Sequence, residues 1–172
     1  MSGDGSEGST TSESRDLRVD GSGMLRWMDA CFPCALGWDG IRRDKIEGDD
    51  ATPLGAFPLR RVLYRPDRLA PLSPRDGWCN DANHPLYNHQ VRQPVQASCK
   101  LLWRTDSLYD VIVVLGHNDN PVVPGAGSAL FLHLSDEDLE PAHGGVALRK
   151  EDLLAILAGV HPCARLCVEQ SG

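Results

Sequence analysis

The chain has 172 residues, 41% of them hydrophobic and 24% charged, a size and mixture that suit one compact domain with its own core. Its formal net charge of -7, with no basic run, excludes a general binder of phosphate backbones, so nucleic acid is not expected as a partner. No apolar stretch approaches the ~20 residues that cross a bilayer, and the N-terminus lacks the basic-then-apolar pattern of an export signal.

In chain order, residues 1–23 are rich in Gly, Ser, Asp and Glu. Such a segment buries too little apolar surface to offset its ordering entropy, so a disordered acidic tail is expected there, with the folded domain over 24–170. Met24 to Met28 and Cys31 to Leu36 read as short strands turned at Asp29 and Ala30. Gly37-Trp38-Asp39-Gly40 is loop chemistry, and residues 41–56, punctuated by Gly48, Pro53 and Gly55, form a long loop of the kind that carries function. Phe57 to Tyr64 predicts a strand. Pro66 to Pro94 holds too many prolines for a helix and predicts ordered loop, pinned by Trp78 and Tyr87.

Leu108 to Gly116 is β-branched and almost continuously apolar, hence a central strand buried on both faces. Ser128 to Leu134 predicts another strand. Arg149 to Val160 places Leu153, Leu154, Ile156 and Leu157 at helical spacing and predicts an amphipathic helix, ended by Gly159 and Pro162. Cys163 to Glu169 closes the chain as a strand. The sum is a mainly β domain of mixed strands, with one helix in the C-terminal half and long ordered loops.

Six cysteines are present: Cys31 and Cys34 as CxxC, Cys163 and Cys167 as CxxxC, with Cys79 and Cys99 apart. A zinc site needs thiolates that converge on one point, whereas Pro33 interrupts the first pair and both pairs sit in apolar, strand-like runs. The reading favoured is small buried hydrophobes, with no metal and no cofactor expected. Disulfides stay open.

Three segments do not read as scaffold. They are Lys45 to Phe57 (KIEGDDATPLGAF), Pro85 to Pro94 (PLYNHQVRQP), and the pair Phe131-Leu132-His133-Leu134 with Ala142-His143-Gly144-Gly145-Val146-Ala147-Leu148. The first resembles the K-x-E-G-D-x-A-T-P-x-G-x-F segment that leads into the catalytic half of L,D-transpeptidases of the YkuD type. The third is similar to that family's paired signature, a histidine closing a strand followed by [S/T]-H-G-C-V-x-L. The resemblance covers residues 24–170 and matches the compact variants without extra binding modules.

The resemblance implies an L,D-transpeptidase-like β-sandwich and peptidoglycan stem peptides as partners. It also implies acyl transfer, in which a cysteine thiolate attacks a diamino-acid carbonyl, a thioester forms, and a second stem's amine resolves it. His133 matches the general base, His143 the second histidine of the site, and Gly144, with the backbone of Gly145 and Val146, the turn that faces the oxyanion. Tyr87, Asn88 and Arg92 are candidates for contacting an anionic stem peptide, or else for stapling their loop. Lys45, Glu47 and Asp49 read as a surface ion-pair cluster, and His117 and Asn118 as groups that orient the return loop. A metal held by His117, His133 and His143 is not required by their spacing.

One departure dominates. Gly145 stands where the family places its nucleophilic cysteine, and Ala142 replaces the usual hydroxyl residue. A glycine forms no covalent intermediate, so activity is expected to be lost or severely reduced unless Cys79 or Cys99 reaches the cleft. The alternative is a binding module, a pseudoenzyme that holds stem peptides or regulates an active paralogue; a third reading is a glycine introduced to trap substrate. The family's substrate implies the cell envelope, while no export signal is read from the chain.

Overall fold

The computed structural model describes residues 15–65 and 76–170. Its thirteen strands and one helix bear out the mainly β reading. Eight strands close on themselves: β1 (Leu17–Val19), β13 (Arg165–Val168), β6 (Gly55–Tyr64), β10 (Val111–Leu115), β11 (Phe131–Leu134), β12 (Val146–Leu148), β3 (Ala30–Ala35) and β2 (Met24–Trp27). β3 and β6 belong to both curved halves, so the structure is a sandwich whose two sheets are joined at their corners. The pairing is mixed, parallel for β1 with β13 and for β11 with β12, and antiparallel elsewhere in the ring.

β10 explains its own sequence. Successive strand side chains alternate between faces. Val111, Val113 and Leu115 enter the main core with Leu132, Leu134, Val146, Leu148 and Leu166. Ile112 and Val114 enter a second core with Trp78, Leu102, Tyr109 and Phe131. A strand with apolar partners on both sides has no reason to alternate in hydropathy.

The single helix, α1 (Lys150–Gly159), buries Leu153 and Ile156 in the main core. Leu154, expected on the same face, is 38% exposed. Val160 adopts extended angles and its N–H caps the Ile156 carbonyl at 2.8 Å, so the helix stops where the glycine was read to stop it.

Two expectations are corrected. The tail read over residues 1–23 extends too far, because Leu17 and Val19 are fully buried in β1, which lies between β13 and β2. Asp16 anchors this edge by accepting hydrogen bonds from the Arg165 backbone at 2.9 Å and from its guanidinium at 2.6 Å. The period-two pattern of Leu17 and Val19 spans only one short strand, and the polar composition around it obscures it. Residues 1–14 lie outside the described residues.

The second correction concerns the proline-rich stretch. Residues 66–75 lie outside the described residues, but β7 (Asp76–Cys79), β8 (Gln90–Arg92) and β9 (Cys99–Leu101) form a separate three-stranded sheet in the order β8-β7-β9. Prolines exclude helix, as expected, yet they flank these strands rather than interrupt them. Trp78 and Tyr87 do pin the segment: Trp78 Nε1 donates to Asn88 Oδ1 at 3.0 Å and the Tyr87 hydroxyl donates to Glu47 at 2.6 Å. Within the loop 41–56, β4 (Ile41–Arg42) and β5 (Thr52–Pro53) make a two-stranded parallel pair.

Candidate functional site

The His-Gly-Gly turn is clamped from two sides. Ala142 N donates to the Leu36 carbonyl at 2.8 Å, and Trp38 N donates to the Ala142 carbonyl at 3.2 Å. On the other side stands Thr52, from the A-T-P-x-G segment and 1% exposed. Its hydroxyl accepts from Gly37 N at 2.8 Å and donates to the Gly145 carbonyl at 3.1 Å. One buried hydroxyl therefore ties the loop before β6 to the turn before β12.

Both glycines around that hydroxyl are required by close approach. A Cβ on Gly37 would lie 2.2 Å from the Asp50 carbonyl oxygen. Gly144 has φ +94°, a region that side chains rarely adopt, and a Cβ there would lie 3.1 Å from the Ala51 carbonyl oxygen.

Replacing Thr52 by Val keeps the shape and leaves two buried backbone groups without partners. The expected cost is about 2–6 kcal/mol, since each of the two unsatisfied buried groups costs roughly 1–3. Chemical denaturation checks this, with Thr52→Ser, which keeps the hydroxyl, expected to lose far less.

Lys45 and Asp49 lie beneath the turn, not on the surface as their charge suggested. Their side chains are 10% and 7% exposed and they form an ion pair. Burial pushes the Asp49 carboxyl up, but hydrogen bonds from Lys45 and the backbone N–H groups of Ile46 and Ala51 outweigh it and hold it below the usual range. Lys45 Nζ would sit 3.4 Å from a Cβ on Gly144, so this buried pair supports the turn from below.

His133 is the one buried histidine among the described residues, 8% exposed near the end of β11. Its Nδ1 lies 2.8 Å from the Leu134 carbonyl, which accepts only, so Nδ1 carries the proton and Nε2 presents a lone pair. Tyr109 packs edge-on against the ring at 5.3 Å. Burial pushes the imidazole down to about 4, opposed by the Leu134 hydrogen bond and assisted by the positive charges of Lys100 and Arg104. The ring is neutral at pH 7.

Gly145 faces it. A Cβ built on Gly145 lies 3.3 Å from His133 Nε2 and 3.2 Å from Cδ2, against the edge of the ring. The same Cβ lies 2.6 Å from the Phe131 carbonyl oxygen, so the backbone of this chain has settled closer to β11 than a side chain would permit.

His133 lines a cleft of about 210 Å³ together with Trp38, Arg104, Tyr109, Glu140 and His143. Trp38 is 60% exposed at the mouth. Arg104 lies 5.3 Å over the Tyr109 ring and is oriented by Asp106 at 2.8 Å. His143 Nδ1 is 2.9 Å from Asp50 Oδ1 on the exposed rim.

The cleft thus joins His133 and His143, as the resemblance implied, but not the other candidates. Tyr87 is buried with its hydroxyl on Glu47. Asn88 fills all four of its side-chain hydrogen bonds, accepting from Trp78 and Ala129 N and donating to the His117 and Asn118 carbonyls. It is a loop staple with no capacity left for a ligand. Arg92 lies on β8 and Val146 is fully buried in β12; neither lines the cleft.

Asn118 does orient its loop, donating to the Val123 and Gly127 carbonyls and accepting from Val123 N. Among the described residues no three His, Cys, Asp or Glu side chains converge to hold a metal ion. All six thiols are free, and no cysteine lines the cleft.

Sequence reasoning missed Thr52, Trp38, Arg104 and Tyr109. Trp38 carried a signal, an aromatic between two turn glycines in a polar loop, and Thr52 stood inside the A-T-P-x-G motif without being singled out; Arg104 and Tyr109 carried none outside the fold.

The chain belongs to the L,D-transpeptidase family: the YkuD family model, an L,D-transpeptidase catalytic domain, matches residues 11–162. The match begins upstream of β1 and so takes in the strand that composition hid. Members of this family act on peptidoglycan peptides by acyl transfer. No curated protein matches the chain. Among the described residues no helix is long and apolar enough to cross a membrane.

Proposed function

We propose that this chain binds peptidoglycan stem peptides in the His133 cleft but does not form the thioester, because Gly145 occupies the seat of the nucleophile. The observation that carries the reading is the direction of the missing side chain. A Cβ at position 145 points to within 3.3 Å of a lone-pair nitrogen whose tautomer is fixed by a backbone carbonyl. That is the layout of a nucleophile and its general base, with the base oriented by a third group. With glycine there, His133 has no proton to take.

Substitution from another thiol has no geometric support. Cys79 is fully buried outside the cleft, and burial raises the Cys34 thiol to about 12 and also raises Cys99 and Cys167. Raised thiols are poor nucleophiles at neutral pH. Loss of a nucleophile alone costs about four to six orders of magnitude in acyl-transfer enzymes, which leaves binding as the function. The cleft suits a zwitterionic peptide, with Arg104 for a carboxylate, Glu140 and Asp136 for an amine, and Trp38 for apolar cover.

Calorimetric titration with a tetrapeptide stem that contains a diamino acid tests this. The expected result is saturable binding, weakened about tenfold or more by Arg104→Ala, with the peptide recovered intact after prolonged incubation. Absence of binding, or release of the peptide's terminal residue, would overturn it.

A further inference from the structure

Cys79 on β7 and Cys99 on β9 lie directly opposite one another in an antiparallel ladder. In that ladder Asn80 N donates to the Ser98 carbonyl and Leu102 N donates to the Asp76 carbonyl. Bonded and non-bonded pairs alternate along an antiparallel pair, so Cys79–Cys99, one step from Asn80–Ser98, is a non-hydrogen-bonded pair. Such pairs hold their Cα atoms about 4.5 Å apart with side chains on one face, within the roughly 4.4–6.8 Å that a disulfide spans.

The next position on the same face of β7 is Gly77, whose absent Cβ would sit 3.6 Å from Cys99 Cβ. Cys79 is fully buried, while Cys99 is partly exposed and reachable from solvent.

We propose that Cys79 and Cys99 form a cross-strand disulfide when the protein meets an oxidising thiol–disulfide couple such as glutathione disulfide. The Cys99 thiolate attacks one sulfur of the oxidant, forming a mixed disulfide and expelling one glutathione thiolate. The Cys79 thiolate then attacks the Cys99 sulfur and expels the second. Two thiols lose two protons and two electrons, one S–S bond forms, and one glutathione disulfide is reduced to two thiols.

The bond closes a loop of about 20 residues that contains β8 and fixes the strand that runs on to Leu102 in the second core and Arg104 in the cleft. Oxidation thereby stiffens one wall of the site. Burial, together with the adjacent Cys79 thiol, raises the Cys99 thiol, so the reaction is slow at neutral pH and accelerates as pH rises. None of this depends on what position 145 does.

The test equilibrates the whole protein with glutathione buffers of increasing oxidation, then denatures, alkylates and digests it with trypsin. Cleavage places Cys79 in peptide 76–92 and Cys99 in peptide 93–100. The expected product is these two peptides joined, 2 Da lighter than their sum, with a melting temperature raised by about 5 °C or more over the reduced protein. In Cys99→Ser both the joined peptide and the redox-dependent shift disappear. Recovery of the two peptides separately while the exposed Cys31 and Cys163 are oxidised would overturn the proposal. So would pairing of either thiol with another cysteine, or a redox shift that survives Cys99→Ser.

Discussion

Gly145→Cys is expected to turn over a tetrapeptide stem at least about four orders of magnitude faster than the parent chain, through a thioester at the new sulfur. The group proposed as the general base is already in position. His133 Nε2 lies 3.3 Å from a Cβ at position 145, and Nδ1 is held by the Leu134 carbonyl. Transfer of the thiol proton to Nε2 gives a thiolate beside an imidazolium, and each stabilises the other's charge.

The gain comes with a loss in stability. A Cβ at 145 meets the Phe131 carbonyl oxygen at 2.6 Å, so the turn must move away from β11 by several tenths of an ångström. Overpacking of this kind costs about 1–3 kcal/mol. Thr52, which holds the Gly145 carbonyl, resists the movement. The variant is therefore expected to be active and less stable together. Adding His133→Asn to Gly145→Cys should remove most of the recovered rate by removing the base. Steady-state release of the peptide's terminal residue, measured beside denaturant midpoints, reads both effects.

Stability should fall as pH drops from about 6.5 to 4, with His133 contributing up to about 3 kcal/mol of the loss. The sign follows from proton counts. The imidazole titrates near 6.5 when unfolded and near 4 when folded. Between those values the unfolded chain holds more protons, so stability rises with pH across the window and is complete above it. His117, lowered by burial, acts in the same direction. Asp49, whose folded carboxyl is lowered, contributes stability that is lost only below the ordinary carboxylate value of 3.8, under this window.

Urea melts at a series of pH values measure the slope. His133→Asn keeps a donor for the Leu134 carbonyl and carries no titrating group, so it should flatten the slope by the share of His133. An unchanged slope would mean that the ring is not held neutral by burial.

Much of the fold was legible because its strongest signals are local. β10 announced two-sided burial through its unbroken apolar run, and α1 through its apolar spacing. What stayed hidden depends on distant partners. Leu17 and Val19 become a strand only because β13 and β2 supply edges on either side. The β8-β7-β9 sheet is built from pieces too short to register between prolines.

The site divides in the same way. His133 and His143, which the structure brings to one cleft, stand in a signature that is nearly contiguous in sequence. Thr52 is separated from Gly145 by 93 residues, and only the fold places its hydroxyl on that carbonyl. Asn88 and Tyr87 were open between ligand contact and loop staple on sequence alone, and here the loop itself consumes their hydrogen bonds.

The most direct measurement is the intact mass of the parent protein and of Gly145→Cys after parallel incubation with a β-lactam of the carbapenem class, which acylates a competent thiol. The parent mass should stay unchanged while the variant gains one adduct that maps to position 145. An adduct on the parent chain, or a folded variant that takes none, would contradict the assignment of this turn as the empty seat of the nucleophile.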